Sequence, residues 1–161
     1  MRTGLVVGRT LDRETARALA RELRRSEALG VALRALRHRD YSRSRLEARL
    51  ADRGARAATL EDAIETLERA GLVDDARVGV ARAQELARKG FGDAAIRFSL
   101  EGEGLAAELV SEALAALEPE PERARTLLEQ RGRTSKTVRW LAAKGFDAAT
   151  LEDLGGFADG A

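Results

Sequence analysis

The sequence offers few side chains that could carry out acid–base or metal chemistry. His38 is the only histidine and there is no cysteine. A His-based metal cluster or a thiolate metal site would therefore need residues from another chain, and a Ser-His-Asp triad could use only His38 with remote partners. His38 stands between Arg37 and Arg39 at the predicted end of an amphipathic helix, which favours a solvated position. We expect no catalytic residue, no metal and no cofactor, and we predict that the protein is not an enzyme.

Two further motifs suggest chemistry, but local structure explains them better. Asp74 and Asp75 are adjacent, and adjacent side chains on a helix do not face each other. We expect this pair to cap and begin a helix over Ala76–Arg88. The segment Gly102-Glu-Gly104 lacks the preceding strand and the third glycine of a nucleotide-binding loop, and its acidic residues would meet the phosphates. Neither motif predicts an active site.

A run of arginines surrounds a turn that is predicted between two helices. Arg45 and Arg49 lie one helical turn apart and share a face, and Tyr41 can stack on a nucleic acid base. Arginine also pairs with the carboxylates of a protein partner. We predict a partner-binding surface, for an acidic protein face or for nucleic acid; a solvated helix face is the alternative. The candidate residues are Arg34, Arg37, Arg39, Tyr41, Arg43, Arg45 and Arg49, together with Arg139 and Lys144.

Composition and charge favour a helical, water-soluble protein. Hydrophobic residues make up 44% of the 161 residues, charged residues 34% and aromatic residues 4%, a mix that suits helices and argues against disorder. No apolar run approaches the roughly 20 residues of a membrane-spanning helix, and Leu5-Val6-Val7 is too short for a secretory signal. We therefore expect a cytoplasmic monomer. The net charge is +1, yet residues 1–58 carry +8 and residues 59–128 carry −7.

A leucine–glycine pattern occurs three times along the chain. The segments Leu50-Ala-Asp-Arg-Gly54, Leu100-Glu-Gly-Glu-Gly104 and Leu141-Ala-Ala-Lys-Gly145 share it, and apolar residues recur six residues after each glycine and eighteen before it. We predict an all-α fold, a tandem array of three three-helix repeats that is elongated or curved. The repeats should span residues 27–72, 74–117 and 119–157. A strand and a helix should occupy residues 1–26, and a tail residues 158–161.

Each predicted repeat has defined helix ends and one apolar face. The repeated glycine should end the second helix in the left-handed conformation. Thr59 and Thr150, each opening Thr-Leu-Glu-Asp, should cap the third helix. Leu33 and Leu36 should form the apolar face that ends the first helix. The residues expected in the core of the second helices are Leu46, Leu50, Ile96 and Leu100.

The ends of the chain and the linker carry separate expectations. Residues 3–11 should form one short strand, followed by a helix over Glu14–Arg25. Pro119 and Pro121 should break the preceding helix and open the next, which ends near Arg131. Trp140 and Phe146 flank the third glycine; we expect core packing, with an exposed anchor for a partner as the alternative.

Three segments, in this order and spacing, resemble the RecX family of regulators of the RecA recombinase. Residues 33–54, from Leu33 through Asp40-Tyr41-Ser42 to Gly54, resemble its opening repeat. Arg69-Ala-Gly-Leu-Val-Asp-Asp-Ala-Arg77 resembles its Gly-hydrophobic-hydrophobic-Asp-Asp signature, and Lys144-Gly-Phe146 the ending of its third repeat. The similarity covers residues 27–153. One departure is the acidic surroundings of Gly102, where family members often carry a basic residue.

The resemblance implies a modulator, usually an inhibitor, of RecA. Family members bind along the groove of the RecA–DNA filament and alter strand exchange, ATP hydrolysis or filament persistence. They have no reaction or cofactor of their own, and they can also contact single- or double-stranded DNA. The residues alone leave two alternatives open: a helical nucleic-acid-binding module, and a scaffold for a protein other than RecA.

Overall fold

The computed structural model describes residues 12–154, and all the regular structure within them is helical. The expected all-α class is therefore confirmed for these residues. The nine helices are α1 (Arg13–Leu36), α2 (Arg43–Ala51), α3 (Ala57–Arg69), α4 (Asp75–Arg88), α5 (Asp93–Gly102), α6 (Ala107–Ala115), α7 (Glu120–Arg131), α8 (Ser135–Ala143) and α9 (Ala148–Leu154). The predicted strand at residues 3–11 and the tail at 158–161 lie outside the described residues, and the repeat boundaries stay a prediction.

The described chain forms two compact units. Unit 1 comprises residues 12–39 and 46–72, and unit 2 comprises residues 40–45 and 73–154. In unit 1, α1 packs against α3. In unit 2, α4 packs against α5 and α6, and α7 packs against α8 and α9.

In unit 1, α1 is longer than the sequence pattern indicated. It runs without interruption from Arg13 to Leu36, across the break expected near residue 26. No proline occurs in this stretch, and Arg, Glu, Leu and Ala, which dominate it, all favour helix. The Asp12 side chain caps the helix by accepting a hydrogen bond from the Thr15 backbone N–H at 2.8 Å.

Small residues, and not the expected leucines, form the buried face of α1. Ala28, Ala32 and Ala35 are buried, whereas Leu33 is 44% exposed and Leu36 only partly buried. The expectation that Leu33 faces the core was wrong. Because an alanine face permits a close approach of α3, the spacing of the leucines did not identify the buried side. The other buried apolar residues of unit 1 are Leu46, Leu50, Ala63, Ile64 and Leu67.

Unit 2 contains two apolar clusters. One joins α4, α5 and α6 around Ile96, Leu100 and Val110. The other joins α7, α8 and α9 around Leu128, Leu141 and Phe146, with Trp140 packed against its side. The expected core role of Phe146 and Trp140 is thus confirmed, as is the burial of Ile96 and Leu100. 

The three repeated glycines end their helices as predicted. Gly54, Gly104 and Gly145 have φ values of 81°, 77° and 84°, a conformation that favours residues without Cβ. In each case the N–H of the following residue donates to the carbonyl of the leucine four residues before the glycine, at 3.2–3.3 Å. This is the hydrogen bond of a Schellman helix stop.

The helix starts were predicted with mixed success. Asp74 caps α4 by accepting from the Arg77 N–H at 3.0 Å, as expected. Thr59 does not cap α3, which begins two residues earlier after Arg56. Thr150 does not cap α9, because the Asp147 carboxylate accepts from the backbone N–H groups of Ala149 and Thr150. A carboxylate three residues upstream of the threonine supplies the acceptor instead.

Candidate partner-binding surface

The turn that leads into α2 is fixed within unit 2 by backbone and side-chain hydrogen bonds. Ser42 is fully buried; its hydroxyl donates to the Glu103 carbonyl at 2.7 Å and accepts from the Arg45 N–H at 3.2 Å. The Arg43 N–H donates to Asp75 Oδ1 at 2.7 Å. Three hydrogen bonds thus hold this turn in place within unit 2.

Arg45 is exposed, and its guanidinium is held in one place on the surface of unit 2. Its Nη2 donates to the Gly102 carbonyl at 2.9 Å, at the C-terminal end of α5. The negative end of the helix dipole favours a cation at this position. Asp40, at the start of the same turn, lies 3.7 Å from Arg77. The hydrogen bond to the Gly102 carbonyl orients Arg45 without burying it.

The predicted binding residues are divided between the two units. Arg34, Arg37, Arg39 and Arg49 lie in unit 1 and are exposed; Tyr41, Arg43, Arg45, Arg139 and Lys144 lie in unit 2. The candidate surface is therefore described separately in each unit. Arg43 is half-buried. Arg39, Tyr41, Arg43 and Arg49 already interact within the protein.

Lys144, one of the predicted binding residues, packs against two aromatic rings of unit 2. Its Nζ lies 4.1 Å from the ring centroid of Phe91 and 5.7 Å from that of Trp140. The Trp140 ring also contacts Arg131, whose guanidinium carbon lies 4.0 Å from the ring centroid. Such cation–π contacts stabilise partly buried cations. Arg139, by contrast, is exposed.

The sequence analysis did not predict two features of unit 2. Phe98 is 79% exposed on α5; its position two residues from the buried Ile96, on the opposite side of the helix, was a signal that could have identified it. Glu120 and Arg123 are both buried. Arg123 donates to the Phe91 carbonyl at 2.9 Å and pairs with Asp93. Nothing local marks them as buried, since Glu120 lies between Pro119 and Pro121 and Arg123 follows in the same acidic segment.

Unit 1 contains a cavity of about 260 Å³ beside the glycine that ends α2. Its apolar wall is formed by Ala28, Val31 and Leu50. One arginine of α1 and two arginines of the turn after α2 line its polar side. We call this the Gly54 cavity. Its polar residues are Arg24, Arg53, Arg56, Glu27 and Thr59.

Within residues 12–154, no three His, Cys, Asp or Glu side chains are grouped so that they could hold a metal ion. The same described stretch contains no helix that is both long and apolar enough to cross a membrane.

Comparison with known proteins identifies the family. The chain is 32% identical over 158 residues to the regulatory protein RecX of Xanthomonas oryzae pv. oryzae strain PXO99A, covering 89% of this chain and 98% of that protein. The chain belongs to the RecX family. It is also 37% identical to the regulatory protein RecX of Thermus thermophilus, over 75% of this chain and 84% of that protein. No protein-family model matches the sequence.

Solved RecX structures share the fold. A crystal structure of regulatory protein RecX superposes with a TM-score of 0.75 at 22% identity, covering 92% of this chain and 79% of that one. RecX from Lactobacillus salivarius gives a TM-score of 0.70 at 19% identity, over 81% of this chain and 94% of that one. The RecX resemblance expected from the sequence is thus confirmed.

Two of the motifs that carry the RecX resemblance are helix boundaries. In the Gly-Leu-Val-Asp-Asp segment, Gly71 has φ 68° after α3 and Asp74 caps α4. In Lys144-Gly-Phe146, the glycine ends α8 and the phenylalanine enters the core. These residues set where the helices of this RecX family member begin and end.

Proposed function

We propose that this protein binds the RecA–DNA filament and inhibits the recombinase and ATPase activities of RecA in DNA repair, recombination and the SOS response. Membership in a family of regulatory proteins, over almost the whole length of a relative, is the observation that carries the proposal. The relatives are named as regulators and not as enzymes. Inhibition by binding requires no catalytic residue or cofactor. We propose that the protein acts as a monomer in the cytoplasm, where RecA acts.

Exposed arginines are the proposed contacts to the filament. Arg34 and Arg37 lie three residues apart at the end of α1, and both are exposed. In unit 2, Arg45 is exposed and fixed by the Gly102 carbonyl. Cations at the rim of an interface accelerate association and select an acidic partner face. The same guanidinium groups would neutralise phosphates where DNA is accessible in the filament.

The decisive experiment titrates this protein into RecA from the same organism on single-stranded DNA and measures ATP hydrolysis. We expect the rate to fall and the effect to saturate at or below one protein per RecA, with no effect on an unrelated ATPase. Arg34→Glu combined with Arg37→Glu should weaken the inhibition at least tenfold, because reversing two rim charges costs more than about 1.4 kcal/mol. An unchanged ATPase rate with folded protein would refute the proposal.

The matched control reverses two arginines in unit 2. Arg88 and Arg97 are exposed, so Arg88→Glu with Arg97→Glu makes the same change in net charge and should inhibit RecA like the unaltered protein. Equal weakening by both double variants would mean that only net charge matters. Binding to single-stranded DNA without RecA, lost by roughly 10³-fold or more from low to moderate salt, would indicate the nucleic-acid-binding alternative.

A further inference from the structure

In unit 2, two glycine turns are each covered by a turn from earlier in the chain. The Ser42 hydroxyl donates to the Glu103 carbonyl at 2.7 Å, and the Gly92 backbone N–H donates to the Lys144 carbonyl at 2.9 Å. In both cases the acceptor is the residue immediately before the repeated glycine. In both cases the donor precedes the first residue of a helix, α2 or α5. The same mode of covering therefore occurs twice.

The covering residues approach the two glycines closely. A Cβ placed on Gly104 would lie 2.4 Å from Ser44 Oγ, and one placed on Gly145 would lie 2.7 Å from the Cβ of Ala95. Only small side chains fit at this contact. Ser44 and Ala95 each lie in the first turn of the covering helix. Both covering helices therefore place a small residue against the glycine.

Each covering turn also brings a carboxylate to an arginine. Asp40 lies 3.7 Å from Arg77 beside the Gly104 turn, and Asp93 pairs with Arg123 beside the Gly145 turn. A covering segment in this fold is thus a turn followed by the first turn of a helix. It places a small residue against the repeated glycine, and its carboxylate pairs with a nearby arginine.

The Gly54 turn in unit 1 has the same backbone geometry but no such cover among the described residues. A Cβ placed on Gly54 would meet no atom within 4 Å. The carbonyl of Arg53, the counterpart of the Glu103 and Lys144 carbonyls, accepts no hydrogen bond within residues 12–154. The Gly54 cavity lies at this position.

The charges of the Gly54 cavity select its occupant. Arg24, Arg53 and Arg56 line it against the single acid Glu27, and within the described residues Arg53 and Arg56 form no ion pair. Residues 1–11 of this chain carry Arg2 and Arg9 and no acid, so their charge does not match. In a second copy, the segment in equivalent register, residues 131–136, carries three cations and no acid and matches no better.

We infer that the Gly54 cavity is a docking site for a turn and helix start of a partner protein that carries carboxylates and small residues. The segment would donate a hydrogen bond to the Arg53 carbonyl, place a small residue on Gly54, and pair its carboxylates with Arg53 and Arg56. The inference rests on the proposed function in one respect, that a regulator binds another protein. It does not require that this protein be RecA.

The test uses the full chain and two synthetic peptides. The acidic peptide has the sequence of residues 40–50 with aspartate in place of Arg43 and glutamate in place of Arg45; the control peptide keeps the natural sequence. Amide resonances are followed by NMR during titration. We expect the acidic peptide to shift Gly54 and Ala55 and to leave Gly104 and Gly145 unchanged, since those two turns are already covered. The natural-sequence peptide should bind at least tenfold more weakly.

Variants locate the binding charge. Arg53→Glu with Arg56→Glu should weaken binding of the acidic peptide at least about tenfold, because each lost charge-assisted hydrogen bond reduces affinity by about that factor. Arg88→Glu with Arg97→Glu, which changes net charge equally, should leave binding unaltered. Should the first variant lose its helical circular dichroism, Arg53→Gln with Arg56→Gln is used and should weaken binding in the same direction.

Several results would overturn the inference: no binding, shifts away from Gly54, equal weakening by the two double variants, or equal binding of both peptides. If deleting residues 1–11 changes the Gly54 resonances and strengthens peptide binding, the chain's own N-terminal segment occupies the cavity instead. If sedimentation detects a dimer that the Arg53→Glu, Arg56→Glu variant abolishes, a second copy does. RecA is absent throughout, so failure here leaves the ATPase experiment unaffected, and the converse also holds.

Discussion

The Glu120 carboxylate accepts the backbone N–H of Asp93 at 2.6 Å, joining the start of α7 to the first residue of α5. Its second oxygen accepts the N–H of Asp147 at 3.1 Å, just before α9. Glu120 is 8% exposed, so one buried carboxylate satisfies two amide groups at the starts of two helices, where intrahelical acceptors are missing. The anionic side chain also favours the positive ends of both helix dipoles.

Replacing Glu120 by glutamine should therefore lower the free energy of unfolding by about 1–3 kcal/mol, because one of the two amides would face an NH₂ group instead of an acceptor. The measurement is urea denaturation followed by circular dichroism. Glu112 is exposed, and Glu112→Gln should change stability by less than about 0.5 kcal/mol. Equal stabilities of the two variants would show that the Glu120 hydrogen bonds contribute nothing.

Replacement by alanine should change stability in opposite directions at two glycines, Gly92, the N-cap of α5, and Gly102, its last residue. A Cβ at Gly92 would lie 2.3 Å from the Gly145 carbonyl oxygen, so Gly92→Ala must displace the backbone and should destabilise by about 2–4 kcal/mol. Gly102 ends the helix with nothing within 4 Å of its Cβ position. Gly102→Ala should be neutral or stabilising by up to about 1 kcal/mol. Thermal denaturation of both variants tests the close approach of α5 to the Gly145 turn, and a harmless Gly92→Ala would disprove it.

Leucine substitutions distinguish the observed core from the one expected from leucine spacing. Leu50 is 1% exposed, and Leu50→Ala should lower the free energy of unfolding by about 2–5 kcal/mol. Leu33 is 44% exposed, so Leu33→Ala should cost less than about 1 kcal/mol. Chemical denaturation in parallel gives both values. A large loss at Leu33 would restore the original assignment of the apolar face of α1.

The carboxyl of Glu85 should stay ionised at unusually low pH. A hydrogen bond from Lys89, then one from Arg82, lowers the pKa of Glu85 from its usual 4.5 to about 2. Because the folded-state pKa is depressed, the stabilisation by this group is present above the unfolded value and is lost as the pH falls towards 2. A carboxyl-detected NMR titration measures the midpoint directly. Lys89→Met should raise it, and a midpoint near 4.5 in the unaltered protein would contradict the contact.

Local signals predicted the parts of the fold that depend on a few neighbouring residues. The glycine stops at Gly54, Gly104 and Gly145 and the cap at Asp74 needed only their own sequence context. The exposure of Leu33 was not predictable in this way, because the packing of α1 against α3 selects the alanine face. The leucine pattern is compatible with either face until the partner helix is known.

The sequence predicted which basic residues form the candidate surface, but it did not predict which of them are exposed. The sequence shows that arginines cluster around Tyr41. It does not show that Asp75, distant in sequence, binds the Arg43 N–H, or that Phe91 and Trp140 surround Lys144. Such partners depend on tertiary packing, and they decide which cations remain exposed.

The ring contacts of Trp140 make it a spectroscopic reporter of one part of the protein. It is the single tryptophan of the chain, and it packs beside the cluster of α7, α8 and α9 in unit 2. Its fluorescence emission will therefore follow the unfolding of that cluster, while far-ultraviolet circular dichroism follows helices from both units. Coincident midpoints by the two probes would mean that the chain unfolds cooperatively, and separated midpoints would mean that it unfolds in stages.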